Sequence, residues 1–174
     1  PRLITRFIGD YPQTRFLLFS ASSPQVYDHI ASQQFDFGLA EKSPGSDLVK
    51  ADPIEVECIC ALPAGSPLAS RPFVTPADID GRPCCTYSPE HFIARHMRKI
   101  FADAGAHLNN QFELQNAAAQ YNLVANNVAI GVFSPLSAWI YKTTHQNPDA
   151  ITFVPLRPII PYPFAILTPA HKSL

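Results

Sequence analysis

Three serine-proline pairs, Ser23-Pro24, Ser88-Pro89 and Ser134-Pro135, are the residues of this chain best suited to hold a ligand. Each follows a short apolar run and precedes residues at helical spacing, so each reads as a strand-to-helix junction. A serine before the first turn caps a helix, and proline at the first helical position loses nothing by lacking an N–H. The unpaired N–H groups of such a helix start, together with a hydroxyl, suit a carboxylate or phosphate. Open α/β sheets hold ligands at this kind of junction, beyond the carboxyl ends of their strands. Three such junctions divided between two lobes would converge on one cleft. The plain alternative is that Ser-Pro is a good way to start a helix.

The elements that place Ser23 lie in residues 16–41, FLLFSASSPQVYDHIASQQFDFGLAE. The run 16–19 is of buried-strand type, and Val26, Tyr27, Ile30 and Ala31 recur at helical spacing. Residues 35–40 then return to a short apolar run, which makes the whole a strand, helix, strand crossover of right-handed type. Before it, Leu3, Ile4, Phe7 and Ile8 give an opening helix that Asp10-Tyr11-Pro12 ends. After it, strands are expected over 54–62, 84–87, 112–114, 129–133, 151–156 and 164–167. Thr75-Pro76-Ala77-Asp78 reads as a short capped helix. Ser88-Pro89 is expected to open the most regular helix, with Phe92, Ile93, His96, Met97, Ile100, Phe101 and Ala104 on its apolar face and Gly105 as its stop. A further helix spans 117–128, with Asn126-Asn127 tolerating a left-handed exit, and another follows Pro135 to about 144.

With 174 residues, 47% hydrophobic and 16% charged, the chain can build a substantial core and is not expected to be disordered. A net charge of −1 and no basic cluster argue against direct nucleic-acid binding. No apolar run approaches the roughly 18 residues that a membrane span needs. The chain is read as cytoplasmic and, because it begins at Pro1, as a fragment of a longer protein. Cys58, Cys60, Cys84 and Cys85 sit in strand-like runs without zinc or redox spacing, and are read as small buried hydrophobes. A disulfide, a metal site or a catalytic thiolate is the alternative. The six histidines show no metal-ligand spacing joined by a third ligand, and no metal or cofactor is expected.

The pattern resembles the effector-binding domain of LysR-type transcriptional regulators, a fold shared with type 2 periplasmic binding proteins. The likeness is carried by Arg6-Phe7 and Tyr11-Pro12 closing the first helix, and by the polar loop up to Ser23. It continues in Phe35-Asp36-Phe37-Gly38-Leu39, in Ala61-Leu62-Pro63 with Ser66-Pro67-Leu68-Ala69, and in Leu123-Val124-Ala125 with Ile130-Gly131-Val132. Asn127 and Ala129 replace glycines of the last motif; Asn accepts the left-handed turn, while Ala129 adds a methyl where packing is close.

The resemblance implies an α/β fold of two Rossmann-like lobes with a ligand cleft between them, and places a first strand and a last helix outside this chain. Lobe I is expected at 1–61 plus 158–174 and lobe II at 62–157. It implies a small-molecule effector, DNA contacted only through a helix-turn-helix domain absent here, and a homodimer or homotetramer. The opening helix, with Phe7 and Ile8, is a candidate dimer face.

Ser23, with Ser22 beside it, matches the position that meets an effector carboxylate. Ser88 and Phe92 match the facing loop of the second lobe, Ser134 is the third junction, and Gln115 or Asn116 offers a neutral amide. Glu41 stands where the resemblance gives relatives that take aromatic or dicarboxylic acids a basic residue, so it is a candidate to meet a cation, the alternative being a solvated loop carboxylate beside Lys42. With Ser23 at one end of its unit and Glu41 at the far end, the ligand would be zwitterionic, as amino acids and opines are. A transporter's solute-binding protein shares the fold and is the runner-up. A small enzyme is less favoured, because no nucleophile elbow, phosphate loop or zinc-protease motif is present.

Overall fold

The computed structural model of the chain describes residues 2–42 and 46–171. In chain order the elements are α1 (Arg2–Asp10), α2 (Ser23–Ala31), β1 (Gly38–Glu41), β2 (Val49–Glu57), β3 (Ile59–Pro63), β4 (Cys84–Thr86), α3 (Phe92–Asp103), β5 (Asn110–Glu113), α4 (Ala117–Ala125), β6 (Ile130–Phe133), α5 (Pro135–Thr144), β7 (Ile151–Pro155) and β8 (Pro161–Pro169). Short 3-10 turns occupy Pro67–Ser70, Pro76–Ile79 and Pro148–Ala150. Two compact units result, Pro1–Ala51 with Ile166–Leu174, and Asp52–Ala165. Strands order as β1-β8-β2 in one sheet and β5-β4-β6-β3-β7 in the other.

In the first unit, α2 packs on β1 because Gly38 has no side chain. A Cβ there would come 2.5 Å from Val26 Cγ1 and 3.4 Å from Ile30 Cγ1, so only glycine admits the approach. Ile30, Ala40, Val49 and Leu167 are buried. The run 16–19, expected as a strand, forms none. Leu17 and Leu18 are about three-quarters exposed, whereas Phe16 sits edge-on to Phe7 at 5.6 Å and Phe19 stacks on Phe35 at 5.9 Å. A strand requires a ladder partner as well as an apolar sequence, and no described strand pairs with this run.

The second unit has a mixed sheet. β4 runs parallel to β5 and β6, and β3 runs antiparallel to β6 and β7. The single strand expected over 54–62 is two strands, β2 and β3, with Cys58 between them donating its N–H to Ile160 O at 2.9 Å. On α3, Ile93, Ala94, Met97, Ile100 and Phe101 are buried against the sheet. Each such side chain removed from water contributes about 1.5–3 kcal/mol before ordering costs. All four cysteines are buried free thiols. Burial pushes Cys58, Cys84 and Cys85 up to about 12 and raises Cys60 as well, the opposite of what a reactive thiolate needs. The alternative of a catalytic cysteine is therefore set aside.

β6 is the middle strand of this sheet, and Gly131 lies at its centre, paired to Ala61 on β3 and Cys85 on β4. An added Cβ would lie 2.5 Å from Phe133 Cε2 and 3.2 Å from Cys85 Sγ. The Phe133 ring is itself fixed by stacking on Tyr121 at 4.3 Å. Gly131→Ala is expected to lower stability by about 1–3 kcal/mol, read as a fall in the urea midpoint at unchanged slope.

The turn Pro76–Ile79 depends on Asp78, whose Oδ2 accepts the Thr75 N–H at 2.8 Å and the Thr75 hydroxyl at 2.7 Å. The Thr75 hydroxyl, then the Thr75 N–H, hold the Asp78 carboxyl below its usual value against the opposing effect of burial, with Arg71 adding its charge. A lowered folded pKa stabilises at neutral pH, and this contribution disappears as pH falls through the ordinary carboxylate pKa and then the folded one. The Asp78→Asn variant is expected to have a lower urea midpoint than the parent at pH 7, and the gap should close as the pH falls below about 4.

Candidate effector site

In the first unit the polar residues gather where α2 begins. Gln25 Oε1 accepts both the Ser22 N–H at 3.1 Å and the Ser22 hydroxyl at 2.8 Å, so Ser22 rather than Ser23 is the capping residue. Ser23 is the first helical residue, and its Oγ accepts the Glu41 N–H at 3.1 Å. Expected at opposite ends of the unit, Ser23 and Glu41 are thus neighbours. The helix and the strand after it run in opposite directions, so the carboxyl end of β1 returns to the start of α2. Both residues are half-buried, and the Ser23 hydroxyl keeps its proton to donate.

In the second unit, β5, β4 and β6 are parallel neighbours, and the residues after their carboxyl ends share one edge. Ser88 follows β4, Gln115 and Asn116 follow β5, and Ser134 follows β6. The Leu114 N–H donates to Thr86 O at 3.0 Å, tying two of these ends together. Tyr87 meets Phe133 at 6.4 Å across the third.

Ser88 does not cap α3. Its carbonyl accepts the His91 N–H at 2.9 Å in a turn, and the helix starts at Phe92, capped by His91, whose Nδ1 accepts the Ile93 N–H at 3.2 Å. Serving as an acceptor there leaves the neutral ring's proton on Nε2. The ring stacks on Tyr87 at 4.1 Å. Two arginines hold the turn: Arg98 Nη2 donates to Pro89 O at 2.6 Å, and Arg95 Nη1 donates to Glu90 O. Phe92 stacks on His96 at 3.9 Å and meets Tyr162 edge-on at 5.7 Å, so much of its ring serves packing.

Ser134 caps α5 as expected, its Oγ accepting the Ser137 N–H at 3.3 Å. Asn116 caps α4 through Oδ1, which accepts the Ala119 N–H at 2.8 Å, while Gln115 is exposed. Close by, Gln120 donates Nε2–H to Leu114 O, yet its buried Oε1 has no hydrogen-bond partner among the described residues, and the buried Tyr121 hydroxyl lies beside Ser137. Burial raises the Tyr121 pKa, so that hydroxyl keeps its proton. The edge is therefore one of neutral hydroxyls, amides and an imidazole. Among the described residues no group of three or more His, Cys, Asp or Glu could hold a metal.

A family model described as the LysR substrate binding domain matches residues 1–174. The chain belongs to that family. Among curated proteins it is 25% identical over 171 residues to "Regulatory protein NocR" of Agrobacterium tumefaciens (strain T37), covering 98% of this chain and 55% of that protein. It is 22% identical over 173 residues to "Transcriptional activator protein LysR" of Escherichia coli (strain K12), covering 99% and 54%. The chain spans about half the length of these relatives. The regulatory domain of Synechocystis PCC6803 CcmR, in complex with 2-PG, superposes with a TM-score of 0.78 at 15% identity, over all of this chain and 83% of that one. The BenM effector-binding domain with its effector benzoate does so with 0.76 at 19%, over all of this chain and 78% of that one. The α/β expectation and the resemblance to type 2 periplasmic binding proteins hold. This is the effector-binding domain of a LysR-type regulator, from a family of regulators rather than enzymes.

His91, Gln25, Tyr121 and Ser137 escaped the sequence reading. Gln25 was readable, since Ser22 followed three residues later by Gln is a capping box. His91 was not, because an imidazole seldom caps a helix. Asn116→Ala should cost about 1 kcal/mol through loss of the cap, and Asn116→Ser should recover most of it, as read by thermal unfolding.

Proposed function

We propose that this effector-binding domain takes a small carboxylate metabolite with a zwitterionic head, an amino acid or opine, and so controls DNA binding by a helix-turn-helix domain elsewhere in the parent protein. The observation that carries the reading is the contact between Ser23 and Glu41. An α-amino acid bears its carboxylate and ammonium on one carbon, and here a helix start meets the backbone of a residue that carries a carboxylate. The Ser23 N–H at the start of α2 and the Ser23 hydroxyl suit the anion, and the Glu41 carboxylate suits the cation.

The anionic half has further support. BenM is described with benzoate and QuiR with shikimate, both carboxylates. Within the first unit Ser22 is proposed as a polar neighbour of the ligand, and within the second unit Ser88, Ser134, Gln115 and Asn116 are proposed as polar binding residues and Phe92 as an apolar one. A helix start and one charge-assisted hydrogen bond contribute about 0.3–1 and 1.5–3 kcal/mol, enough for binding in the micromolar to millimolar range once apolar contacts are added. Control then requires only that the effector bind one arrangement of the regulator better than another. The parent is read as a cytoplasmic homodimer or homotetramer.

Titration calorimetry with basic amino acids and, in parallel, aromatic monocarboxylates tests the reading. Amino acids should bind, and Glu41→Gln should weaken them about tenfold, a difference of about 1.4 kcal/mol. Ser23→Ala should weaken both classes. Binding confined to acids without a cation would overturn the zwitterionic head.

A further inference from the structure

A second concavity lies in the Asp52–Ala165 unit, at the sheet edge opposite Ser88 and Ser134. It forms where β3 ends and β4 and β6 begin, and its volume is about 350 Å³, within the range of small-ligand sites. Pro67, Val128 and Ile130 give it apolar walls, Ser66 and Asn127 add polar groups, and Arg82 supplies its charge.

The sign of that charge is not offset locally. Arg82 forms no ion pair among the described residues, and no acidic residue lines the concavity. The nearest acid in sequence, Asp80, is taken up by the His107 N–H at 2.6 Å. Three of the wall's carbonyl acceptors are engaged: Pro63 O by the Ser66 N–H at 2.9 Å, Pro83 O by the Ile130 N–H at 2.9 Å, and Arg82 O by the Cys84 thiol at 3.4 Å. Ser66 Oγ accepts the Leu68 N–H at 3.3 Å and so retains its own proton to donate. The Arg82 guanidinium and the Ser66 hydroxyl thus both offer donors to an anion.

The wall is also fixed in place. The Arg82 N–H bonds Ile79 O at 3.2 Å, the Gly81 N–H bonds His107 O at 2.9 Å, and on the other side the Val128 N–H bonds Leu123 O at 2.9 Å beyond the left-handed Asn127. A guanidinium on an anchored turn beside exposed apolar side chains is a receptor for an apolar anion. We propose that this concavity is a second ligand site, which takes a small apolar monocarboxylate with its carboxylate on Arg82 and its hydrocarbon body against Val128 and Pro67. The inference is independent of the zwitterionic reading, since it shares no residue with it.

Phenylacetate titrated into the nitrogen-15-labelled chain, followed by amide shifts, tests it. The amides of Gly65, Ser66, Arg82 and residues 127–130 should move saturably. Arg82→Gln should weaken that response at least tenfold while the rest of the spectrum shows an unchanged fold, and Arg82→Lys should restore most of it. Phenylacetamide, which lacks the charge, and inorganic phosphate, which lacks the apolar body, should each bind at least tenfold more weakly. Shifts that bypass these amides, an unaltered response in Arg82→Gln, or equal binding of phenylacetamide or phosphate would each overturn the proposal.

Discussion

At the middle of the five-stranded sheet, one backbone position has to stay bare. Gly131 lets the Phe133 ring fold back over its own strand, and Tyr121 of α4 stacks on that ring. Because β6 joins β4 on one side to β3 on the other, the packing at this point sets the order of the whole sheet. The parallel trio β5, β4 and β6 then presents three carboxyl ends along one edge, and the residues that follow them inherit their positions. Ser88, Asn116 and Ser134 are neighbours in space for that reason, not because of any contact they make with one another.

The three serine-proline pairs look alike in the sequence and do different things in the structure. At Ser134 the reading is sound, because capping is a local matter decided within four residues. At Ser23 it is one residue out, since Gln25 reaches back to Ser22 and draws the cap forward. At Ser88 the proline starts a turn instead of a helix, and His91 takes the cap three residues later. Local chemistry was legible where nothing competed with it.

Longer-range features follow the same logic. The periodicity of α3 gave the centre of its buried face, Ile93, Met97, Ile100 and Phe101, but not its margins, where Ala94 is buried, Phe92 and His96 are half-buried and Ala104 is exposed. The approach of Glu41 to Ser23, 18 residues apart, is invisible to spacing, although it follows once α2 and β1 are packed in opposite directions. The run 16–19 shows the limit of the method: composition states which residues favour burial, while the ladder that would bury them depends on a partner elsewhere. Phe16 and Phe19 settle instead for aromatic contacts on α1 and beside α2.

The four buried thiols make the second unit its own stopwatch. A thiol whose pKa is pushed up to about 12, and which water does not reach, offers almost no nucleophile at neutral pH while the sheet is closed. Each alkylation event therefore marks an opening of the strands around it. Cys60 on β3 and Cys84 and Cys85 on β4 stand on either side of β6, so the order in which they react reports which flank of the central strand loosens first. The unmodified chain thus carries its own record of local unfolding, without an introduced label.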